Sequence, residues 1–230
     1  MRGGAPSAVT SGFGAIWATG ADGTLARIDP TTEAVTTFAI GIAGYQLATG
    51  EGAVWVGSQQ DAAIVQFDPV SGKVVNTLRN LGLLFGIATS FGSVWAVDKG
   101  SHQVLRIDPK TGAVVARIPA ERNPNFITVG AGSVWVTRAT PGAVLRIDPA
   151  TNVVTTIPTE ASWGSGVGIT FADGAIWTGW LVRIDLTTNR VSASYAGPSG
   201  DQQNAVAIGG GFAWVVGDAT LHRVPLALVH

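Results

Sequence analysis

Short apolar runs follow one another along the whole chain, separated by Gly, Pro and Asp. Residues 125–160 show the pattern best, with β-forming runs at 125–129, 133–137, 143–147 and 153–157. Runs of this length, rich in Val, Ile and Thr and bounded by turn residues, predict β-strands. Since no segment of useful length has helical periodicity, the chain is predicted to contain almost no helix.

One tryptophan-centred phrase recurs at intervals of about 40 residues. Its copies read GAIWAT, GAVWVG, GSVWAV, GSVWVT, GAIWTG and GFAWVV, centred on Trp17, Trp55, Trp95, Trp135, Trp177 and Trp214. A second phrase follows each copy, reading ARIDP, VQFDP, LRIDP, LRIDP, VRIDL and HRVPL. Internal repeats of this period are typical of propellers and other repeat arrays.

A four-stranded meander cannot bury both of its faces alone, but stacked meanders bury both against their neighbours. The tryptophan strand is nearly continuously apolar, as a strand buried on both faces should be. We therefore predict one all-β domain over 1–230, a six-bladed β-propeller. Its repeats fall at approximately 6–41, 45–80, 85–120, 125–160, 166–197 and 204–230.

The last repeat has clear candidates for only three strands, because few residues follow the HRVPL phrase. The sixth blade is therefore predicted to be three-stranded or incomplete. Its edge would carry Arg223 and Pro225, which discourage edge pairing, although pairing with another molecule stays open. An equally weighted alternative is that the sequence is a fragment of a longer chain.

Composition removes several classes of function. A formal net charge of −1 with only 13% charged residues argues against a nucleic-acid-binding or anionic-membrane surface. No apolar stretch is long enough to insert into a membrane, and residues 1–6 lack the apolar core of a signal peptide. The absence of cysteine excludes disulfides, a thiol nucleophile and a cysteine-ligated zinc.

Polar residues that recur once per repeat are interpreted as scaffold. The aspartates begin turns of the Asp-Pro-x-Thr-Gly kind and predict separate turns, not a metal site: Asp29, Asp68, Asp108, Asp148 and Asp185. The basic residues are predicted to cross blade edges and reach turn carbonyls or carboxylates: Arg27, Arg106, Arg146, Arg183 and Arg223, with Gln66 in the second repeat.

Residues that vary between repeats are the better functional candidates. Loops from fourth to first strands and from second to third strands share one end of a propeller, which we call the mouth. We predict ligand-binding residues there: Tyr45, Phe85, Asn125, Arg138, Trp163, Trp180 and Asn204. Aromatic and amide side chains suit a small-molecule, peptide or protein ligand. No metal site is predicted, because the residues aligned at the start of the innermost strands include no carboxylate.

One catalytic pair can be formulated from the mouth residues. His102 lies just before a third strand, four residues after Asp98, and a histidine oriented by an aspartate can act as a general base. The simpler interpretation of His102 is a solvated surface histidine. No serine lies in a nucleophile-elbow phrase, and no phosphate-binding loop is present.

The phrase G-[AS]-[VI]-W-[VA]-x, followed by [LV]-x-R-I-D-P-x-T-[GN]-x-V, resembles bacterial propeller repeats. The similarity is to repeats of the virginiamycin B (streptogramin) lyase-like, YVTN and NHL type. This resemblance implies a secreted or periplasmic protein, a sensor domain or an enzyme. For the lyases it implies Mg²⁺-dependent opening of a cyclic depsipeptide by elimination, with a histidine base on the mouth of a seven-bladed propeller. Among the residues three after each Trp, Asp98 alone keeps a carboxylate.

Three functional hypotheses follow. The favoured one is a non-catalytic binding or scaffold propeller, such as an extracytoplasmic sensor or interaction module, with no cofactor. The alternative is a streptogramin-lyase-like enzyme that requires Mg²⁺, with His102 as the base and Asp98 orienting it. A further alternative is a duplicated or engineered repeat scaffold that has no ligand.

Overall fold

The computed structural model describes residues 6–159, 168–195, 205–216 and 220–229. In this part of the chain, six antiparallel sheets form the blades of an all-β propeller. Apart from strands, it contains one short 3₁₀ helix, Leu226–Leu228. The predicted fold class is therefore confirmed. No helix within the described ranges is long and apolar enough to cross a membrane.

The chain divides into two compact units, and the first, Met1–Pro119, holds blades 1 to 3. Each of these blades is a four-stranded meander in which sequential strands pair. Blade 1 comprises β1 (Pro6–Gly12), β2 (Ala15–Gly20), β3 (Thr24–Ile28) and β4 (Val35–Ala39). Blade 2 comprises β5 (Gln46–Gly50), β6 (Ala53–Ser58), β7 (Ala63–Asp68) and β8 (Lys73–Leu78). Blade 3 comprises β9 (Leu84–Ser90), β10 (Ser93–Asp98), β11 (Gln103–Ile107) and β12 (Val114–Pro119).

The second unit, Ala120–His230, holds blades 4 to 6. Blade 4 comprises β13 (Pro124–Gly130), β14 (Ser133–Arg138), β15 (Ala143–Ile147) and β16 (Val154–Pro158). Blade 5 comprises β17 (Ile169–Ala172), β18 (Ala175–Thr178), β19 (Arg183–Asp185) and β20 (Arg190–Ala193). Blade 6 comprises β21 (Ala205–Gly209), β22 (Phe212–Val216) and β23 (Leu221–Pro225). The prediction of a three-stranded last blade is confirmed for the described residues.

The first two strands of blades 1 to 5 are joined by two-residue turns. In blade 1, Phe13 and Gly14 have φ values of 52° and 70° between the paired residues Gly12 and Ala15. Two successive positive φ values define a type I′ turn, whose twist matches that of the flanking strands. The same turn recurs at residues 51–52, 91–92, 131–132 and 173–174. This geometry explains the glycine that begins each of these five tryptophan phrases.

The repeated tryptophans are the centres of the cores. Trp17, Trp55, Trp95 and Trp135 are fully buried, and Trp177 is nearly so. In each of these five, the indole Nε1 donates to a backbone carbonyl five residues earlier, at 2.9–3.2 Å. A buried indole N–H needs such a partner, so the bond makes full burial of the ring possible.

Three of the repeated tryptophans pack onto the next blade as well as their own. In the first unit, Trp17 lies in one core cluster with Val54 and Phe67 of blade 2. Trp55 lies in a cluster with Ile87 and Ile107 of blade 3. In the second unit, Trp135 clusters with residues of blade 5. The prediction that the tryptophans form inter-blade cores is confirmed at these positions.

Trp55 tests the contribution of these cores. Trp55→Ala should lower the free energy of unfolding by about 3–5 kcal/mol, because it leaves a large cavity between two sheets. Trp55→Phe should cost less, since one ring remains and the cavity is smaller, although the bond to the Gly50 carbonyl is lost. Urea denaturation measures both variants, with Val70→Ala as the control because Val70 is 93% exposed. Equal stabilities of Trp55→Ala and the control would contradict this account.

Candidate functional site

The recurring aspartates shape the turns between third and fourth strands. In Asp108, Oδ1 accepts from the backbone N–H groups of Lys110 (2.7 Å) and Thr111 (3.1 Å). The backbone N–H of Gly112 closes the turn onto the Asp108 carbonyl at 2.9 Å. Equivalent bonds occur at Asp29, Asp68, Asp148 and Asp185.

Hydrogen bonds from the turn lower the pKa of all five carboxyls. The predicted role in separate turns is confirmed. In the described ranges, no group of three or more His, Asp or Glu side chains is placed to hold a metal ion.

Two of the recurring positions, Arg146 and Gln66, connect neighbouring blades. Arg146 lies over the Trp135 ring at 5.1 Å, and its Nε donates to Ser133 Oγ at 2.9 Å. Its Nη1 reaches blade 5, donating to the Leu186 carbonyl (3.2 Å) and to Asn189 Oδ1 (2.8 Å). In the second repeat Gln66 makes the equivalent contact, since its Nε2 donates to a carbonyl of the blade 3 turn at 3.1 Å. The prediction that these side chains reach turn carbonyls is confirmed at these two positions.

Asp98 ends β10 with its side chain buried. Its Oδ1 accepts from the backbone N–H groups of Leu83 (3.0 Å) and Ser101 (3.3 Å). Gly82 allows this approach, because a Cβ at that position would lie 2.4 Å from Asp98 Oδ2. Gly82 also has a φ of 85°, which a side chain would disfavour. Asp98 therefore holds the loop that leads into blade 3.

His102 lies in the following turn with an exposed side chain and a φ of 57°. Its backbone N–H makes a long bond of 3.4 Å to the Lys99 carbonyl. No hydrogen bond joins the side chains of His102 and Asp98, both of which the structure describes. The contact that would orient a histidine base is thus not formed, and the catalytic role of the pair stays a prediction.

The residue three after Trp has a loop-holding role in blades 2 and 4 as well. In blade 2, Ser58 Oγ donates to Asp61 Oδ2 at 2.7 Å, and that oxygen accepts from the Ala43 N–H at 2.9 Å. The bond from Ser58 is the main reason why the pKa of Asp61 is lowered. In blade 4, Arg138 pairs with Glu121, and its Nε donates to a carbonyl three residues later at 3.0 Å. Each side chain fixes a mouth loop of its own blade.

Tyr45, Gln46, Leu83, Phe85 and Lys99 lie where the chain enters the first strands of blades 2 and 3 and leaves the second strand of blade 3, and we call this set the blade 2–3 patch. Gln46 Nε2 donates to the Leu84 carbonyl at 3.3 Å and so joins the first strands of blades 2 and 3. Lys99 Nζ lies 4.2 Å from the centre of the Phe85 ring. Tyr45 and Leu83 are 37% and 40% exposed. The patch therefore offers apolar surface beside a cation.

Three predicted ligand-binding residues of the second unit are largely buried or packed. Arg138 is buried, and burial lowers the pKa of its guanidinium. Asn125 is buried, and its Nδ2 donates to the Asn123 carbonyl at 3.3 Å. Trp180 packs against the core that contains Trp135. Two further predicted residues, Trp163 and Asn204, lie outside the described residues.

Sequence reasoning missed one cavity. A space of about 520 Å³ lies beside the fourth strands of blades 4 and 5, lined by Ile157, Thr159, Val182, Arg190 and Val191, among others. Thr159 is buried and its Oγ1 has no hydrogen-bond partner among the described residues. The sequence carries no signal for this cavity, because its walls come from two repeats at positions that look like ordinary strand edges.

The comparisons with known proteins show the fold. No protein-family model and no curated protein matches this chain. Among solved structures, 1182 chains match, so the fold alone does not select a function. One of them is a streptogramin B lyase that is 17% identical, with a TM-score of 0.78. The match covers 95% of this chain and 82% of the lyase chain. The chain thus has a β-propeller fold like that of streptogramin B lyase.

Asp98→Ala tests the structural role of this carboxylate. The variant leaves two backbone N–H groups of the mouth loops without their acceptor, which should cost about 1–3 kcal/mol of unfolding free energy. His102→Ala is the matched control, since it removes an exposed neighbour on the same turn, and should leave the melting temperature unchanged. Thermal denaturation measures both. An unchanged melting temperature in Asp98→Ala would contradict the loop-holding role.

Proposed function

We propose that this propeller is a non-catalytic binding module whose blade 2–3 patch takes a peptide-like ligand, either free or displayed on a protein. The observation that supports it most directly is the contrast between Asp98 and its surroundings. The carboxylate on which the catalytic hypothesis depends is occupied by loop N–H groups, while apolar groups beside it face solvent.

The patch combines a backbone fixed by hydrogen bonds with the exposed ring of Tyr45. Bonds from Gln46 to the Leu84 carbonyl and from Leu83 to Asp98 hold both entry loops. Tyr45 is therefore presented on a backbone anchored by its neighbours. Rigid aromatic side chains lose little entropy on binding, which is why tyrosine is frequent in binding surfaces.

The cation of the patch limits the chemistry of the ligand. Burial lowers the pKa of Lys99, and its ammonium group lies over an aromatic ring. A ligand with an oxygen atom near this positive charge and an apolar group against Tyr45 and Leu83 matches both features. Peptides carry carbonyl acceptors and apolar side chains together, so a peptide-like ligand fits best. The proposal needs no cofactor and no nucleic acid.

Tyr45→Ala tests the binding proposal. A thermal-shift screen with short peptides and cyclic depsipeptides should find a ligand that stabilises the wild type, by about 2.7 kcal/mol at a hundred times its Kd. Tyr45→Ala should lose at least about half of that stabilisation, since a tenfold weaker Kd removes about 1.4 kcal/mol. Without ligand, its melting temperature should equal that of the wild type.

Phe91→Ala is the matched control for Tyr45→Ala. Phe91 is a similarly exposed aromatic residue, at 39%, in the turn between the first two strands of blade 3. This variant should keep the full ligand-induced shift. Equal loss of the shift in both variants, or none in Tyr45→Ala, would contradict a site at the patch.

Lyase activity is the second candidate function, and the fold similarity to streptogramin B lyase favours it. In that case wild-type protein with Mg²⁺ would open a cyclic depsipeptide to a linear isomer, seen as a new chromatographic peak. His102→Ala would abolish the peak if His102 is the base. The binding proposal expects no peak from either protein. A peak that depends on Mg²⁺ and on His102 would replace the binding proposal.

A further inference from the structure

Strand β23 of blade 6 is the outermost strand of its sheet in the part of the chain described, whereas each of the other five sheets has a fourth strand. Arg223 of this strand pairs with Trp214, as Arg146 pairs with Trp135 in blade 4. The shared tryptophan partner makes the positions of the six third strands directly comparable.

The side chain two residues before this arginine differs in solvent exposure between blade 6 and the other blades. In blades 1 to 4 the position is 0% exposed, and it is occupied by Leu25, Ile64, Val104 and Val144. In blade 6 it is occupied by Leu221, which is 63% exposed. An aliphatic side chain that is covered in these four blades is thus open to solvent in blade 6.

The backbone of β23 offers hydrogen-bonding groups on the same edge. Leu226 N–H donates to the Gly211 carbonyl at 3.0 Å, and antiparallel ladder bonds recur at every second pair. His222 and Val224 therefore bond to β22, while the N–H and C=O groups of Leu221 and Arg223 face the open edge. Pro225 has no N–H and also faces outward, so the edge offers two N–H donors.

The other blades show what kind of strand fits this edge. In each fourth strand, the residue opposite the arginine (Gln66 in blade 2) is an alanine or a polar residue of small or medium size. These residues are Thr36, Asn76, Ala116, Thr155 and Ala193. Two positions later in the fourth strand, a large apolar residue lies opposite the buried aliphatic residue of the third strand. In blades 1 to 4 it is Phe38, Leu78, Ile118 and Ile157. These partners define a short recognition pattern.

We propose that the edge of β23 binds an extended segment of a partner polypeptide as the fourth strand of blade 6. The segment runs antiparallel to β23, with a small residue opposite Arg223 and a large apolar residue, two positions later, over Leu221. Main-chain bonds supply affinity and the apolar residue supplies specificity in this mode of recognition. A second copy of β23 does not fit, because it has no small residue two positions before a large apolar one.

The probe is a fluorescein-labelled peptide, NVVTTIPT, which has the sequence of Asn152–Thr159 and contains the β16 pattern. Fluorescence anisotropy should show saturable binding to the wild-type protein. Ile157→Asp in the peptide should weaken it at least about tenfold, because the large apolar contact is lost. Leu221→Asp in the protein should have the same effect. Val70→Asp, at another exposed aliphatic residue, should keep the wild-type affinity.

A further readout locates the peptide. Its binding should slow hydrogen exchange at the Leu221 and Arg223 amides, because their N–H groups face the open edge of β23. No saturable binding, or equal affinity for the Ile157→Asp peptide, would overturn the proposal. A dimer in sedimentation that Leu221→Asp dissociates would also overturn it, since a second copy would then occupy the edge.

Discussion

Burial of the repeated indole rings in the cores of the blades is the constraint on which this structure depends. A four-stranded meander has two faces and cannot cover either, so it is stable only against its neighbours. Trp17 and Trp55 fill the space between successive sheets, and each ring can be fully buried because its N–H is satisfied within its own blade. Type I′ turns place the bonded carbonyls, and arginines such as Arg146 cover the outer face of the ring.

The same constraint divides the polar residues into two groups. Those repeated with the tryptophan, such as Asp108 and Arg146, make turns and connect blades, and their hydrogen bonds are used within the scaffold. Those that vary lie at the mouth, where Ser58, Asp98 and Arg138 fix loops by three different chemistries. The proposed binding site uses side chains that these loops present, Tyr45 and its neighbours in the blade 2–3 patch.

Sequence alone was sufficient for the blades because their period, turn residues and strand patterns are local. The three-stranded last blade was predicted from the number of strand-like runs in the last repeat. The role of Asp98 could not be predicted, because its partner Leu83 lies fifteen residues away in a loop whose path depends on Gly82. The pairing of Arg138 with Glu121 and the exposure of Leu221 were hidden for the same reason. Each depends on which strand edge lies beside which loop, and no local pattern encodes that.

Hydrogen exchange of the indole N–H groups, followed by NMR after transfer to D₂O, tests the central constraint most directly. Trp17, Trp55, Trp95, Trp135 and Trp177 each donate to a carbonyl of their own blade. Their indole protons should all exchange far more slowly than those of free tryptophan, because exchange requires the hydrogen bond to break and the buried ring to reach solvent. Exchange of any of these five at the rate of free tryptophan would contradict an account in which buried, hydrogen-bonded indole rings hold the blade cores together.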